Sequence, residues 1–328
     1  MADSNGFRRD VIAIGASAGG VEALQKLVSE FSPRLAATVL IVQHIWAEGE
    51  SYLPRILSKA GPLLAAHPQD GEIPAPAHIY VAPPDLHLMI EDGRMRLVRG
   101  PKENMHRPSV DVLFRTAAGC FGPRVVGVLL TGYGGDGAAG LAAIDRRRGV
   151  TIVQDPEESR APGMPEAALR LMKPDYRLRI AQIAPLLNKM VEETARVAAP
   201  NPGAPCVPEG GELMENEVNL SYAENEPPSG FVCPECGGAL WERDEDGALK
   251  FRCRIGHAYS PDSLVNAENE AVEGALWSAV RSLEESAAIA RRVGRAVSAF
   301  APEFETKAQQ RLRDAEIIRG LLSRSTSG

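Results

Sequence analysis

Between residues 10 and 190 the chain alternates short apolar runs with longer segments whose apolar residues recur at helical spacing. The first run, Val11-Ile12-Ala13-Ile14, reads as a buried strand, and Val21 to Phe31 reads as the helix that follows it. The same reading gives strands over Thr38–Val42, His78–Ala82, Val125–Leu130, Val150–Val153 and Tyr176–Ile180. It gives helices near Ser51–Lys59, over Val110–Ala118, from Ala138 onward and over 181–196. Leu86–Ile90 and Arg94–Val98 flank Glu91-Asp92-Gly93, whose Asp-Gly reads as a hairpin turn. Strands that are apolar on both faces and alternate with helices predict a doubly wound, mostly parallel α/β sheet carrying one hairpin.

The pattern breaks at Ala198. Pro, Gly and Ala crowd 198–211, and 209–226 holds six glutamates and no basic residue, as a solvated linker would. A small unit begins at Phe231, and two amphipathic helices are predicted over 266–297 and 303–323. The predicted organisation is a catalytic domain over 8–196, a linker over 197–230, a knuckle over 231–262 and a helical tail over 263–325. The tail is predicted to fold as a hairpin on itself or on the knuckle. A dimer through these helices, or a docking surface, is the alternative.

Charge sharpens this division. The net charge is −7 over 328 residues. Residues 1–196 are close to neutral, with 23 Lys and Arg against 22 Asp and Glu, whereas 197–328 carry 13 against 21. An acidic second half argues against nucleic acid as the main ligand. No apolar run approaches the ~20 residues needed to span a bilayer, so no membrane insertion is expected. Residues 1–10 are short and polar, unlike a secretory signal. Five cysteines, three of them close together, suit a reducing compartment and a metal site, so a cytoplasmic location is expected.

Candidate chemistry gathers where strands end. Gly15-Ala-Ser17-Ala-Gly-Gly20 is a strand-to-helix turn that either cradles a phosphate or presents a nucleophile beside a helix N-terminus. The glycines do not make G-x-G-x-x-G. The next strand ends in Gln43-His44, where a dinucleotide site wants an acidic residue. The Val125–Leu130 strand runs into Thr131-Gly-Tyr-Gly-Gly-Asp136-Gly137. Ser17, His44 and Asp136 therefore each follow a predicted parallel strand, and the carboxyl ends of such strands share one crevice. A serine, a histidine and a carboxylate meeting there would form an acyl-transfer triad, with backbone N–H groups of Ala18 and Tyr133 as candidate oxyanion donors. Arg107 is a candidate substrate contact or a salt-bridge residue, with Ser109 and Asp111 beside it. Asp85 and His87 read as loop-structuring. In the second half, Cys233-x2-Cys236 is followed after sixteen residues by Cys253-x3-His257. Two close pairs of thiolate and imidazole ligands suit tetrahedral Zn²⁺ in a closed, structural site. Cys120 and Cys206 have no assigned role.

The motifs Gly15-Ala-Ser17-Ala-Gly-Gly20, Gln43-His44, His78-Ile-Tyr-Val-Ala-Pro83 with Asp85 and His87, His106-Arg-Pro-Ser-Val-Asp-Val-Leu-Phe114, and Leu130-Thr-Gly-Tyr-Gly-Gly-Asp136-Gly137 occur in order between about residues 10 and 190. Together they resemble the catalytic domain of the CheB protein-glutamate methylesterases of bacterial chemotaxis. The resemblance implies Ser17 as nucleophile, His44 as base and Asp136 as its partner. It implies hydrolysis of γ-methyl esters on methylated chemoreceptors or a related signalling protein, with glutamine deamidation as a second activity and no cofactor for catalysis. Chemotaxis members usually carry an N-terminal receiver domain, and this sequence starts at the first catalytic strand. Ala18 stands where the family often has threonine, and Tyr133 where it often has methionine. Residues 231–262 resemble the zinc-ribbon tail of some CheB-like proteins. A non-catalytic scaffold acting by protein binding is the alternative function.

Overall fold

The structure is a computed structural model describing residues 8–45, 51–197, 227–245, 248–296 and 301–325. The predicted linker over 197–230 lies almost wholly outside these residues. The chain divides into two compact units, Met1–Leu264 and Val265–Gly328.

The first unit is built on seven strands: β1 (Val11–Ala16), β2 (Thr38–Gln43), β3 (Leu64–Ala66), β4 (His78–Val81), β7 (Val125–Leu129), β8 (Val150–Gln154) and β9 (Tyr176–Leu178). They lie in the order β3-β4-β2-β1-β7-β8-β9, and every pair is parallel. β1 and β2 are buried at every position, which is why their sequences run apolar without alternation. Successive side chains still go to opposite faces. Ile12 and Ile14 join one core layer with Leu24 and Leu27 of α1 (Gly20–Ser29) and Ile183 and Leu187 of α6 (Ile180–Val197). Val11 and Ala13 join the other with α3 (Val110–Phe121), α4 (Ala138–Arg146) and α5 (Gly163–Leu171), through Val110, Phe114, Leu141 and Met164. The short α2 (Leu53–Ala60) sits on the first layer through Leu53 and Leu57.

β5 (His87–Glu91) and β6 (Arg94–Val98) form the antiparallel hairpin, with Glu91 opposite Arg94 and positive φ at both Asp92 and Gly93. That is the geometry an Asp-Gly hairpin turn requires. The strand expected to reach Ile180 stops at Leu178, and Ile180 opens α6 instead. The freed amides explain the early start: Arg179 N donates to Gln182 Oε1 at 3.0 Å, and Ile180 N donates to Glu158 Oε1. β3 and α5 are additions to the predicted elements. β3 is three residues long and pinned by Ser58, whose hydroxyl accepts from Ala65 N and donates to Ala65 O. α5 carries Pro165 in its first turn, where a missing N–H costs nothing.

Residues 227–264 also belong to the first unit. β10 (Leu240–Glu245), β11 (Ala248–Cys253) and β12 (Ala258–Tyr259) form a small antiparallel sheet. It docks on the segment before α3 by backbone pairing: Asn104 N donates to Ala258 O at 2.7 Å, and Ala258 N to Lys102 O at 3.3 Å. α7 (Pro261–Ala296) starts five residues earlier than predicted, with proline at its first position, where its fixed φ favours helix. In the second unit α7 and α8 (Ala301–Ser325) pack as a hairpin through Val280, Ala315 and Leu322, with Leu276, Leu283 and Ile318 around them. Arg291–Glu305 and Arg319–Glu284 ion pairs tie the two helices at their exposed sides. Among the described residues no helix is long and apolar enough to cross a membrane.

Candidate active site

β1 lies where the strand order reverses, with β2 on one side and β7 on the other. In an open parallel sheet the crevice forms at the carboxyl ends of such strands. Ser17 follows β1, His44 follows β2, and Asp136 lies in the loop between β7 and α4.

The backbones of these loops are tied to one another. Ser17 N donates to Thr131 O at 2.9 Å, and His44 N donates to Ala16 O at 3.0 Å. Gln43 Nε2 donates to both Ser17 O (2.8 Å) and His44 O (3.0 Å), and Thr131 Oγ1 donates to Ala18 O (2.9 Å). The approach is close enough to require glycine at the start of α1: a Cβ on Gly20 would stand 2.0 Å from Gln43 Oε1 and 2.7 Å from Ala16 Cβ. Gln43 carried no signal beyond its place beside His44, and its role as a staple depends on two loops meeting in space.

Asp136 is buried, 1% exposed. Its Oδ2 lies 2.8 Å from His44 Nε2 and accepts from Val110 N at 2.6 Å. Its Oδ1 accepts from Asn104 Nδ2 (2.9 Å), Ser109 Oγ (2.8 Å) and Asp111 N (3.2 Å). Two of these donors are free amides at the N-terminus of α3, where a negative charge is favoured. Burial works to raise the pKa of this carboxyl. The hydrogen bond to His44, its charge and that of His106, and the Asn104 hydrogen bond outweigh burial and hold the group well below the usual carboxylate range. Asp136 is therefore ionised and can only accept, so His44 Nε2 carries the proton. His44 Nδ1 is buried without a hydrogen-bond partner among the described residues.

The ring of His106 stacks on His44, with centroids 3.6 Å apart and planes 17° from parallel. Burial and then the neighbouring His44 lower its pKa to about 4, so His106 is a neutral ring at ordinary pH. The sequence reading carried His106 only as part of a motif, because nothing local shows that its ring meets His44.

Ser17 shares this edge but forms no side-chain hydrogen bond with His44 among the described residues. The amides of Ala18 and Tyr133 donate to no oxygen among the described residues, whereas Gly132 N between the two loops is taken by Ala161 O at 2.8 Å. Tyr133 is 69% exposed. Arg107 is engaged elsewhere: Nε donates to Asp85 Oδ1 at 2.8 Å and a terminal nitrogen to Gly100 O at 2.6 Å. Its guanidinium braces the loop before α3, an arrangement of the kind the salt-bridge reading expects. Ser109 and Asp111 are buried against Asp136 and do not line a groove. His87 joins Pro101 O (2.9 Å) to Ser109 N (3.2 Å) and is buried, a loop-structuring role.

Away from this edge, Cys233, Cys236, Cys253 and His257 bring their four ligand atoms within 4.8 Å of one another. Cys236 and Cys253 sulfurs are 3.7 Å apart, and His257 Nδ1 lies 3.6 Å and 3.5 Å from the Cys233 and Cys253 sulfurs. A tetrahedron with Zn–S of about 2.3 Å and Zn–N of about 2.0 Å has edges of roughly 3.8 and 3.5 Å, so the spacing fits one ion held by four ligands. These residues could bind a metal.

Comparison with known proteins agrees with the α/β sheet. A model of the CheB methylesterase family matches residues 12–187. A protein from Leptospira interrogans is 36% identical over 182 residues, which is 55% of this chain and 94% of the relative. A protein-glutamate methylesterase/protein-glutamine glutaminase from Xanthomonas euvesicatoria is 40% identical over 193 residues, which is 58% of this chain and 52% of the relative. The matched segment thus spans about half the length of the Xanthomonas protein. The crystal structure of the Thermotoga maritima CheB methylesterase catalytic domain is matched over its whole length and over 56% of this chain, with a TM-score of 0.53 and 28% identity. The relatives so named are carboxylic-ester hydrolases, and with a family model covering more than half of its length this chain belongs to the CheB methylesterase family.

Proposed function

We propose that the protein hydrolyses glutamate γ-methyl esters on a methylated chemoreceptor, or on a related signalling protein, through Ser17, His44 and Asp136. The observation that carries this reading is His44 Nδ1, buried without a hydrogen-bond partner among the described residues. Asp136 holds the other ring nitrogen as a donor, so Nδ1 is left to act as the base at an edge that also carries Ser17. Two carboxylate-bound features support it: the acid is ionised, and its orientation is fixed by several donors.

His44 Nδ1 takes the proton of Ser17 Oγ as the oxygen attacks the ester carbonyl. The amides of Ala18 and Tyr133 receive the oxyanion of the tetrahedral intermediate. Its collapse breaks the C–O bond to the methoxy group, which leaves as methanol with the proton from His44. A water, deprotonated by the same nitrogen, then attacks the acyl-enzyme, and Ser17 recovers its proton as the glutamate carboxylate departs. Asp136 stays ionised throughout and stabilises the imidazolium. A glutamine side chain enters the same cycle with ammonia as leaving group, which agrees with the glutaminase designation of the relatives. No step needs a cofactor.

The four knuckle ligands are proposed to hold Zn²⁺ structurally. All four positions of a tetrahedron are filled by protein atoms, so no site is left for a substrate or a water.

The experiment is methanol release from a methylated chemoreceptor cytoplasmic fragment, by wild type, Ser17→Ala and His44→Gln. Release by the wild type that falls at least about 1,000-fold in both variants is expected from the loss of a triad member. Near-native release by Ser17→Ala would overturn the mechanism. No release by wild type would favour the scaffold reading.

A further inference from the structure

β11 inverts the polarity expected of a strand. Leu249 is 45% exposed, whereas its neighbour Lys250 is 1% exposed. The lysine is turned inward because of what it meets. Its Nζ lies 2.7 Å from Asp111 Oδ2 and 3.3 Å from Glu103 Oε1, and both carboxylates are buried residues of the catalytic sheet's own side of the interface. A desolvated ammonium is tolerated only against such charges.

Asp111 stands between this lysine and the catalytic carboxylate. Its Oδ2 also accepts from Asn104 Nδ2 at 2.8 Å, and the same amide nitrogen donates its other proton to Asp136 Oδ1 at 2.9 Å. The Asn104 carbonyl accepts from Ser260 N and Ser263 Oγ, each at 2.9 Å. Every hydrogen-bonding position that orients this amide is therefore filled, two by carboxylates and two by donors from the segment after the knuckle. Asp111 holds the Asp136 loop a second time, since its Oδ1 accepts from Gly137 N (3.0 Å) and Gly140 N (2.7 Å).

We propose that Lys250 is a positioning residue for the esterase: by neutralising Asp111 from the knuckle side, it keeps Asn104 bridging Asp111 and Asp136, and so fixes the acid that orients His44. The inference rests on the Ser17–His44–Asp136 reading. The charged groups around Asp111 are Lys250, Arg115, Asp136 and Glu103, and Arg115 is shared with Glu103, which it pairs at 3.0 Å and which also has Arg252 at 4.0 Å. With Lys250 removed, Asp111 is a buried carboxylate beside another, and it takes up a proton. A protonated Asp111 points its new O–H into the space the ammonium left and is a weaker, uncharged acceptor for Asn104. The bridge then slackens, and Asp136 is held less firmly. The knuckle unit thereby becomes part of the catalytic site without contacting substrate.

The test uses the full chain, with Lys250→Met, Lys250→Arg and Ser263→Ala compared with wild type. Two readouts are taken: the rate at which a fluorophosphonate labels Ser17, and kcat and KM for methanol release across pH. Lys250→Met is expected to lose about 10- to 100-fold in kcat with KM changed less than about twofold, because positioning acts on the transition state. Its kcat is expected to climb with pH where that of wild type is flat, as Asp111 ionises and again becomes a strong, charged acceptor for Asn104. Lys250→Arg keeps the charge and recovers part of the loss. Ser263→Ala, which removes one donor at the margin of the network, is expected to lose about two- to fivefold in kcat. If Lys250→Met does not fold, Ser263→Ala and Lys250→Arg decide. Wild type that labels rapidly, alongside variants with unchanged kcat and pH profile, overturns the role of Lys250 alone. Wild type that neither labels nor releases methanol overturns the triad reading and this inference with it.

Discussion

His106 shows how one side chain ties acid stability to the site. Its ring is pressed on His44, and burial followed by that neighbour lowers its pKa to about 4 from an ordinary 6.5. The unfolded chain therefore binds a proton between these values that the folded chain does not. The stability from this group is complete above about pH 6.5 and is lost as the pH falls toward 4, a penalty of up to about 3 kcal/mol. His106→Gln is expected to give a melting temperature that falls less between pH 6.5 and 4.5 than that of wild type, whatever it loses at pH 7 by giving up the stack. Parallel slopes for the two proteins would mean that the ring titrates normally. Ser17, His44 and Asp136 were legible in the sequence because each follows an apolar run directly or through a glycine-rich loop. Asn104 and Lys250 were not. Asn104 sits in a loop with no periodicity, at a positive φ, and Lys250 reads as the solvent side of a strand until a distant carboxylate claims it.

At the scale of elements, the site depends on how closely the loops after β1 and β7 approach. Gly132 marks the limit: a Cβ there would stand 2.7 Å from Ser17 Cβ and 2.0 Å from Met164 Sδ. Met164 is fully buried and its sulfur has little room to yield. Gly132→Ala is therefore expected to move Ser17, cutting esterase turnover at least about tenfold while lowering stability by about 1–3 kcal/mol, as overpacking does. Turnover within twofold of wild type would show that the loops are not in fixed contact. The sheet was legible because parallel strands buried on both faces leave unbroken apolar runs: β2 and β7 end within a residue of their predicted ends, and β1 runs two residues past the apolar run that announced it. What escaped is what lacks such a run. β3 has only three residues, two of them exposed, and is held by Ser58. The small sheet β10-β11-β12 has one buried lysine in its middle strand, and its pairing depends on docking to residues 102–104. The predicted division at 197–230 follows composition, and it says nothing of where the chain beyond it packs.

The whole molecule then poses a question about metal. The knuckle lies in the same compact unit as the catalytic sheet, and its β11 carries both Lys250 and the ligand Cys253. A metal that holds the β11–β12 turn through Cys253 and His257 also holds Lys250 and the Ser260–Ser263 segment against Asp111 and Asn104. Metal binding that is folding free energy for the knuckle is then also stabilisation of the Asp136 bridge. Treating the 328-residue chain with a zinc chelator is expected to lower kcat for methanol release by about the factor lost in Lys250→Met, and restoring Zn²⁺ is expected to recover it. The decisive comparison is the two perturbations together. If the metal acts through Lys250, chelation subtracts little from a variant that already lacks the lysine, since coupled changes do not add. Chelation that leaves wild-type turnover untouched, or that costs Lys250→Met the same factor as wild type, would separate the knuckle from the chemistry and leave it a module that merely adjoins the esterase.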